Sequence, residues 1–166
     1  MTLGKTAVRV VNLGRISYGQ ALQVQQKHVR QHLDKTSDVP NTLLLCEHHP
    51  VYTIGIRQAP YPPEEEERLK GLGAEFFRTN RGGLITFHGP GIHCGRYITS
   101  HGIALNCNTE MNWFDNIVPC GIVGKGVTSL SLELSRDVTA AEATPYLLES
   151  FSKRFNCHVL PEREVL

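Results

Sequence analysis

The chain has 166 residues, 40% apolar and 20% charged, which suits one folded domain and argues against disorder. Its 17 basic and 16 acidic residues leave a net charge of +1, without the broad basic face that nucleic acid requires. Five cysteines without paired spacing speak against a disulfide framework and for a reducing compartment, and no apolar run approaches the roughly 20 residues that cross a bilayer.

Residues 8–13 read as a strand and residues 17–33 as a helix, in which Tyr18, Ala21, Leu22, Val29 and Leu33 recur at three- and four-residue steps. Residues 1–33 also carry Lys5, Arg9, Arg15, Lys27 and Arg30 with no acidic residue, a bias shared with mitochondrial transit peptides. The same bias is accounted for as the composition of the first folded elements. A polar loop leads to a β-rich run at 42–46, and Pro50 and Gly55 bracket a short strand at 51–54. Pro62 and Pro63 open a helix over 64–72, with the acidic run Glu64 to Glu67 as its solvated first turn and Gly71 and Gly73 as its stop. Residues 76–78 and 84–88 read as strands, and 96–100 and 103–107 flank His101 and Gly102 as a hairpin. Thr139 and Glu142 have the spacing of a capping box for a helix that ends near Phe155. Strands outnumber helices and do not alternate regularly with them, so an α+β class is expected, as one domain over residues 1–166.

Three blocks carry candidate chemistry. Cys120 stands between Pro119 and Gly121, where a thiol on a rigid turn with exposed N–H groups beside it suits a nucleophile with an oxyanion site. A small buried hydrophobe is the alternative reading of such a cysteine. The second block is Arg81, Gly82, Gly83, Leu84, Ile85, Thr86, Phe87 and His88, continuing to Gly91. Its glycines let main chain approach a ligand, while Arg81 and His88 offer charge and proton chemistry. A strand between tight turns explains the glycines and leaves those two side chains without a role. In the third block, Gly102, Ile103 and Ala104 could line one wall of an acyl pocket or belong to hairpin core. Cys46, His48, His49, His88, His93, Cys94 and His101 are scattered without ligand spacing, so neither a metal site nor a cofactor is expected.

Together, RGGLITFHGPG at 81–91, HGIALN at 101–106 and PCGIVGKGVTSL at 119–130 resemble the octanoyl-[acyl carrier protein]:protein octanoyltransferases, the lipoate-protein ligase B family. LLLCEHHPVYTIG at 43–55 is similar more weakly, so the resemblance covers most of the chain and looks most like the animal mitochondrial branch. It implies an α+β fold like the biotin and lipoate protein ligase domain, in the mitochondrial matrix. The implied reaction moves octanoyl from octanoyl-acyl carrier protein to a lysine of lipoyl domains, in 2-oxoacid dehydrogenase complexes and glycine cleavage H protein, opening lipoate synthesis. Cys120 matches the family's thioester-forming cysteine, Arg81 to His88 its substrate-binding segment, and Gly102 to Ala104 a second contact on the acyl chain. A transient thioester splits one hard transfer into two easier ones.

One departure stands out. In the family, HGPG is followed by a glutamine and several dozen residues, including a helix and a strand whose lysine activates the cysteine. Here Gly91 leads into Ile92, His93, Cys94, Gly95 and Arg96, and none of Lys5, Lys27, Lys35, Lys70, Lys125 and Lys153 lies in that context. The resemblance therefore implies an internally shortened chain, lacking one helix, one strand and the activating lysine, with weakened transfer. The rival expectation is a non-catalytic acyl- or protein-binding module. A papain-like hydrolase would need C-G-[SA]-C-[WY], and an ATP-dependent ligase a phosphate loop with a lysine; neither is present.

Overall fold

In the computed structural model, which describes residues 6–34, 41–56, 61–90 and 103–162, a mixed sheet is organised around one long strand. Strand β1 (Thr6–Ile16), helix α1 (Tyr18–Leu33) and strand β2 (Asn41–Ile54) form a parallel β-α-β unit. Helix α2 (Pro63–Gly71) leads into β3 (Glu75–Arg78), and β4 (Thr86–Pro90) follows. Helices α3 (Leu130–Leu134) and α4 (Ala140–Phe155) precede β5 (Cys157–Glu162). The hydrogen-bonded order is β3-β2-β1-β5, all parallel, and β4 joins β2 antiparallel.

Local chemistry explains the helix starts. The Ser17 hydroxyl accepts the Gln20 N–H at 3.3 Å, and Arg30 and His32 lie in the last turn of α1, where they complement the helix dipole. Thr139 likewise accepts the Glu142 N–H at 3.2 Å. Only half of the expected capping box forms, because the Glu142 carboxylate turns to Arg136. The acidic start of α2 is solvated and pairs with Arg68, Lys70 and Arg78.

Several expectations are corrected. The runs at 42–46 and 51–54 are one strand, continuous through Pro50, which lies where the register with β4 slips between Glu47 and Val51. A proline lacks the ladder N–H, and an irregularity is where a strand tolerates it. β1 is longer than read, and β4 begins at Thr86 because 81–84 turn back on themselves. Residues 103–107 are irregular rather than a strand; their expected partner at 96–100 lies outside the described residues. Two 3-10 turns (Met111–Asn116 and Pro119–Gly121), α3 and β5 had no expectation.

Three apolar clusters hold the layers. Val11, Leu13, Ile16 and Cys46 meet Ala21 and Val24 of α1. Val8, Val10, Leu43, Leu45 and Cys157 meet Leu147, Leu148 and Phe151 of α4. Tyr52, Ile54, Leu69, Phe76, Ile85, Phe87 and Phe114 form the third, which seats the site. No described helix is long and apolar enough to cross a membrane.

Candidate active site

The end of β2 is the platform. Residues Val51 to Thr53 bond to β3 on one edge and β4 on the other, so the backbone there is fixed from both sides. Just beyond, Gly55 lets the 81–83 loop close over it: a Cβ on Gly55 would stand 2.5 Å from the carbonyl oxygens of both Arg81 and Gly83. Only glycine permits that approach.

Arg81 locks this loop down. Its Nε and Nη2 donate to Thr53 Oγ1 at 3.1 and 2.9 Å, and Nη2 also donates to the carbonyls of Thr53 and Leu84 at 2.6 and 2.9 Å. Nη1 donates to the Gly82 carbonyl at 2.9 Å, and the residue is 9% exposed. Burial lowers the pKa of Arg81, yet a guanidinium stays protonated throughout. Arg81 is thus a buried cation that shapes the loop and lies within electrostatic reach of the Cys120 sulfur.

Along β4 the side chains alternate. Ile85 and Phe87 enter the core, whereas His88 lies on the other face, where its Nε2 is 2.8 Å from Thr53 Oγ1 and its ring stacks on Tyr18 at 5.9 Å. Tyr18 also meets His48 edge-on, and His48 contacts the Ile16 carbonyl through Nδ1 and Cys46 through Nε2. Burial raises the pKa of Tyr18 and lowers that of His48.

Cys120 sits on the second 3-10 turn with φ 55° and ψ 13°, in the left-handed region, followed by Gly121 at φ 70°. Its N–H donates to the Ile85 carbonyl at 2.7 Å. Gly121 lies against Leu84 so closely that a Cβ there would come within 2.1 Å of Leu84 Cδ1. The cysteine turn is therefore clamped to the segment that Arg81 shapes. Cys120 is exposed, whereas Cys46, Cys107 and Cys157 are buried, and burial pushes the Cys107 thiol up, away from the reactive thiolate.

Both flanks of the cysteine turn are anchored. Upstream, Trp113 stacks on Phe87 with ring centroids 5.2 Å apart and planes 4° apart, and Tyr52 donates its hydroxyl to the Trp113 carbonyl at 2.7 Å. Downstream, the first N–H groups of α3 find the carbonyls of Asn106 and Cys107, and the Asn106 amide donates to the Thr128 carbonyl. Asn106 thus holds the far end of the cysteine loop.

The structure brings Cys120 together with Arg81, Leu84 and Ile85, and places Thr86, Phe87 and His88 on the adjoining strand. Gly82 and Gly83 form the bend between them, with Gly83 at φ 91°. Gly102 lies outside the described residues, and Ile103 and Ala104 are exposed and off any strand. Leu105 instead lines an apolar cleft of ≈430 Å³ with Leu130, Leu134, Val138, Tyr146 and Leu147. Thr53 and Tyr61, whose hydroxyl accepts the Ile85 N–H at 3.3 Å, were not singled out by sequence. The run PVYTIG ahead of Gly55 was the available signal.

A model of the lipoyl protein ligase A/B catalytic domain matches residues 17–100 and 91–152. The chain is 55% identical to the mitochondrial octanoyl-[acyl-carrier-protein]:protein N-octanoyltransferase of Danio rerio, covering 95% of this chain and 96% of that one. It is 37% identical to the human protein of the same description, over 94% and 96%, and 34% identical to the octanoyltransferase of Rubrobacter xylanophilus, over 83% and 89%. The zebrafish match runs over 215 residues against 166 in this chain, so that relative carries several dozen residues without a counterpart here. With the family pattern matched across its length and a site built around one exposed cysteine, the chain belongs to the lipoyl protein ligase A/B catalytic domain family, in its octanoyltransferase branch.

Proposed function

We propose that this protein is a mitochondrial acyltransferase that moves an octanoyl group from octanoyl-acyl carrier protein to a lysine of lipoyl domains, with Cys120 carrying it as a thioester. The observation that carries the reading is the exposed Cys120 thiol on a left-handed turn, hydrogen-bonded to Ile85 and packed through Gly121 on Leu84. The Cys120 thiolate attacks the carbonyl carbon of the octanoyl thioester, and the carrier's thiol departs. The lipoyl-domain amine then attacks the enzyme thioester, forming an amide and returning the Cys120 thiol. Arg81, Gly82, Gly83, Leu84, Ile85, Thr86, Phe87 and His88 supply the substrate-binding wall, with Gly102, Ile103 and Ala104 as a second contact. The lipoyl domains of 2-oxoacid dehydrogenase complexes and glycine cleavage H protein are the proposed acceptors, in the matrix.

The stretch missing relative to the longer relatives falls after Gly91 in this reading and removes the activating lysine. Among the described lysines, Lys70 and Lys153 are paired with Glu66 and Glu149, and Lys27 and Lys125 are exposed. Transfer is accordingly slow. That shortening also favours a second reading, a binding module that holds octanoyl-acyl carrier protein without reacting. Incubation with octanoyl-acyl carrier protein followed by intact mass spectrometry separates the two. An octanoyl increment lost in Cys120→Ala supports transfer; binding of the carrier with no increment supports the module.

A further inference from the structure

We propose that Thr53 is a positioning residue for His88, holding its imidazole with Nε2 bare and the proton on Nδ1. The consequence for catalysis rests on the octanoyltransferase reading; the geometry does not. A threonine hydroxyl has two lone pairs and one proton. Arg81, which has only donors, directs Nε and Nη2 at Thr53 Oγ1 from 3.1 and 2.9 Å, Nη2 sharing its two N–H groups among three acceptors, so both lone pairs face a donor. The hydroxyl proton is left for His88 Nε2, 2.8 Å away. Nε2 therefore accepts, and a neutral imidazole whose Nε2 accepts carries its proton on Nδ1. The opposite arrangement, with Nε2–H donating to Oγ1, would aim a third donor at that oxygen and deny its hydroxyl proton the His88 acceptor.

The surroundings leave the hydroxyl little freedom. Thr53 is 0% exposed, faces Phe77 of β3 and Thr86 of β4 across the sheet, and offers its own carbonyl to Arg81 Nη2 at 2.6 Å. Tyr18 stacks on the far side of the histidine ring with an interplanar angle of 29°. Protonating Nε2 would displace an Arg81 hydrogen bond that also fixes the 81–84 loop. In the proposed transfer, Nε2 is thus removed as a base for Cys120 or for the incoming amine.

The test is two-bond proton–nitrogen correlation NMR on histidine-labelled full chain near neutral pH, with His88 assigned by its loss in His88→Asn. Wild type and Thr53→Ser should show a bare Nε2 and a protonated Nδ1; Thr53→Val should lose that pattern. In octanoyl transfer, Thr53→Val should lower kcat roughly tenfold with KM nearly unchanged, as expected for loss of an orienting partner, and Thr53→Ser should restore it. A protonated Nε2 in wild type, which needs no variant to fold, would overturn the proposal, as would an unchanged pattern in Thr53→Val. If the tautomer is as stated and wild type transfers no octanoyl, the positioning stands and the transfer reading fails.

Discussion

A cysteine in the left-handed region carries backbone strain of about 1–2 kcal/mol that glycine in the same place does not. Cys120 is such a residue, and the strain is held by the 2.7 Å bond to Ile85 and by Gly121 against Leu84. Cys120→Gly should therefore unfold at higher urea than Cys120→Ala, by about 1 kcal/mol, although both lack the thiol. Equal midpoints would show that the turn relaxes. His48 provides a separate test. Burial depresses its folded pKa below the usual 6.5, so the folded state favours neutral imidazole more than the unfolded chain does. The stability this contributes is full above about pH 6.5 and declines as pH falls from there to the folded value, by at most about 1.4 kcal/mol per unit for one proton. Unfolding free energies of wild type and His48→Gln should diverge least at acid pH and most above neutrality. A difference independent of pH would remove His48 from the account.

At the scale of elements, the site depends on docking of the 111–121 segment against β4 through Phe87 and Trp113. Phe87→Ala should cost about 3 kcal/mol or more, the range for deleting a buried aromatic ring. Trp113 is the single tryptophan, so its emission reads the docking directly. A red shift in folded Phe87→Ala is expected; an unchanged spectrum would mean that the stack does not hold the segment. Sequence patterns revealed α1 and α4 well because Ser17 and Thr139 are strong caps ahead of amphipathic runs. They failed at β5, whose six residues include Pro161, and at 103–107, where an apolar run suggested a strand. Pairing partners decide such short segments, and they lie far away in sequence. Arg81 and Cys120 were legible from glycine-rich context, but Thr53 was not, because a threonine in a strand is ordinary until a buried guanidinium occupies its lone pairs.

For the whole molecule, the mixed sheet and its helices support a clamped cysteine turn on the end of β2, while the chain is several dozen residues shorter than the zebrafish match. Leu132, Leu134 and Tyr146 are exposed on α3 and α4, the apolar surface expected of a shortened fold. The platform of Arg81, Thr53 and Gly55 and the Cys120 turn clamped to it are both present, and under the proposed transfer the rate is what the shortening lowers. The most direct test is a chase: octanoyl-loaded enzyme, freed of carrier protein, is mixed with a lipoyl domain and the products are weighed by mass spectrometry. Octanoyl should leave Cys120 and appear on the lipoyl-domain lysine in a linkage that resists hydroxylamine, slowly but in stoichiometric yield. Release as free octanoate, or a Cys120 adduct that never moves to the lipoyl domain, would contradict it.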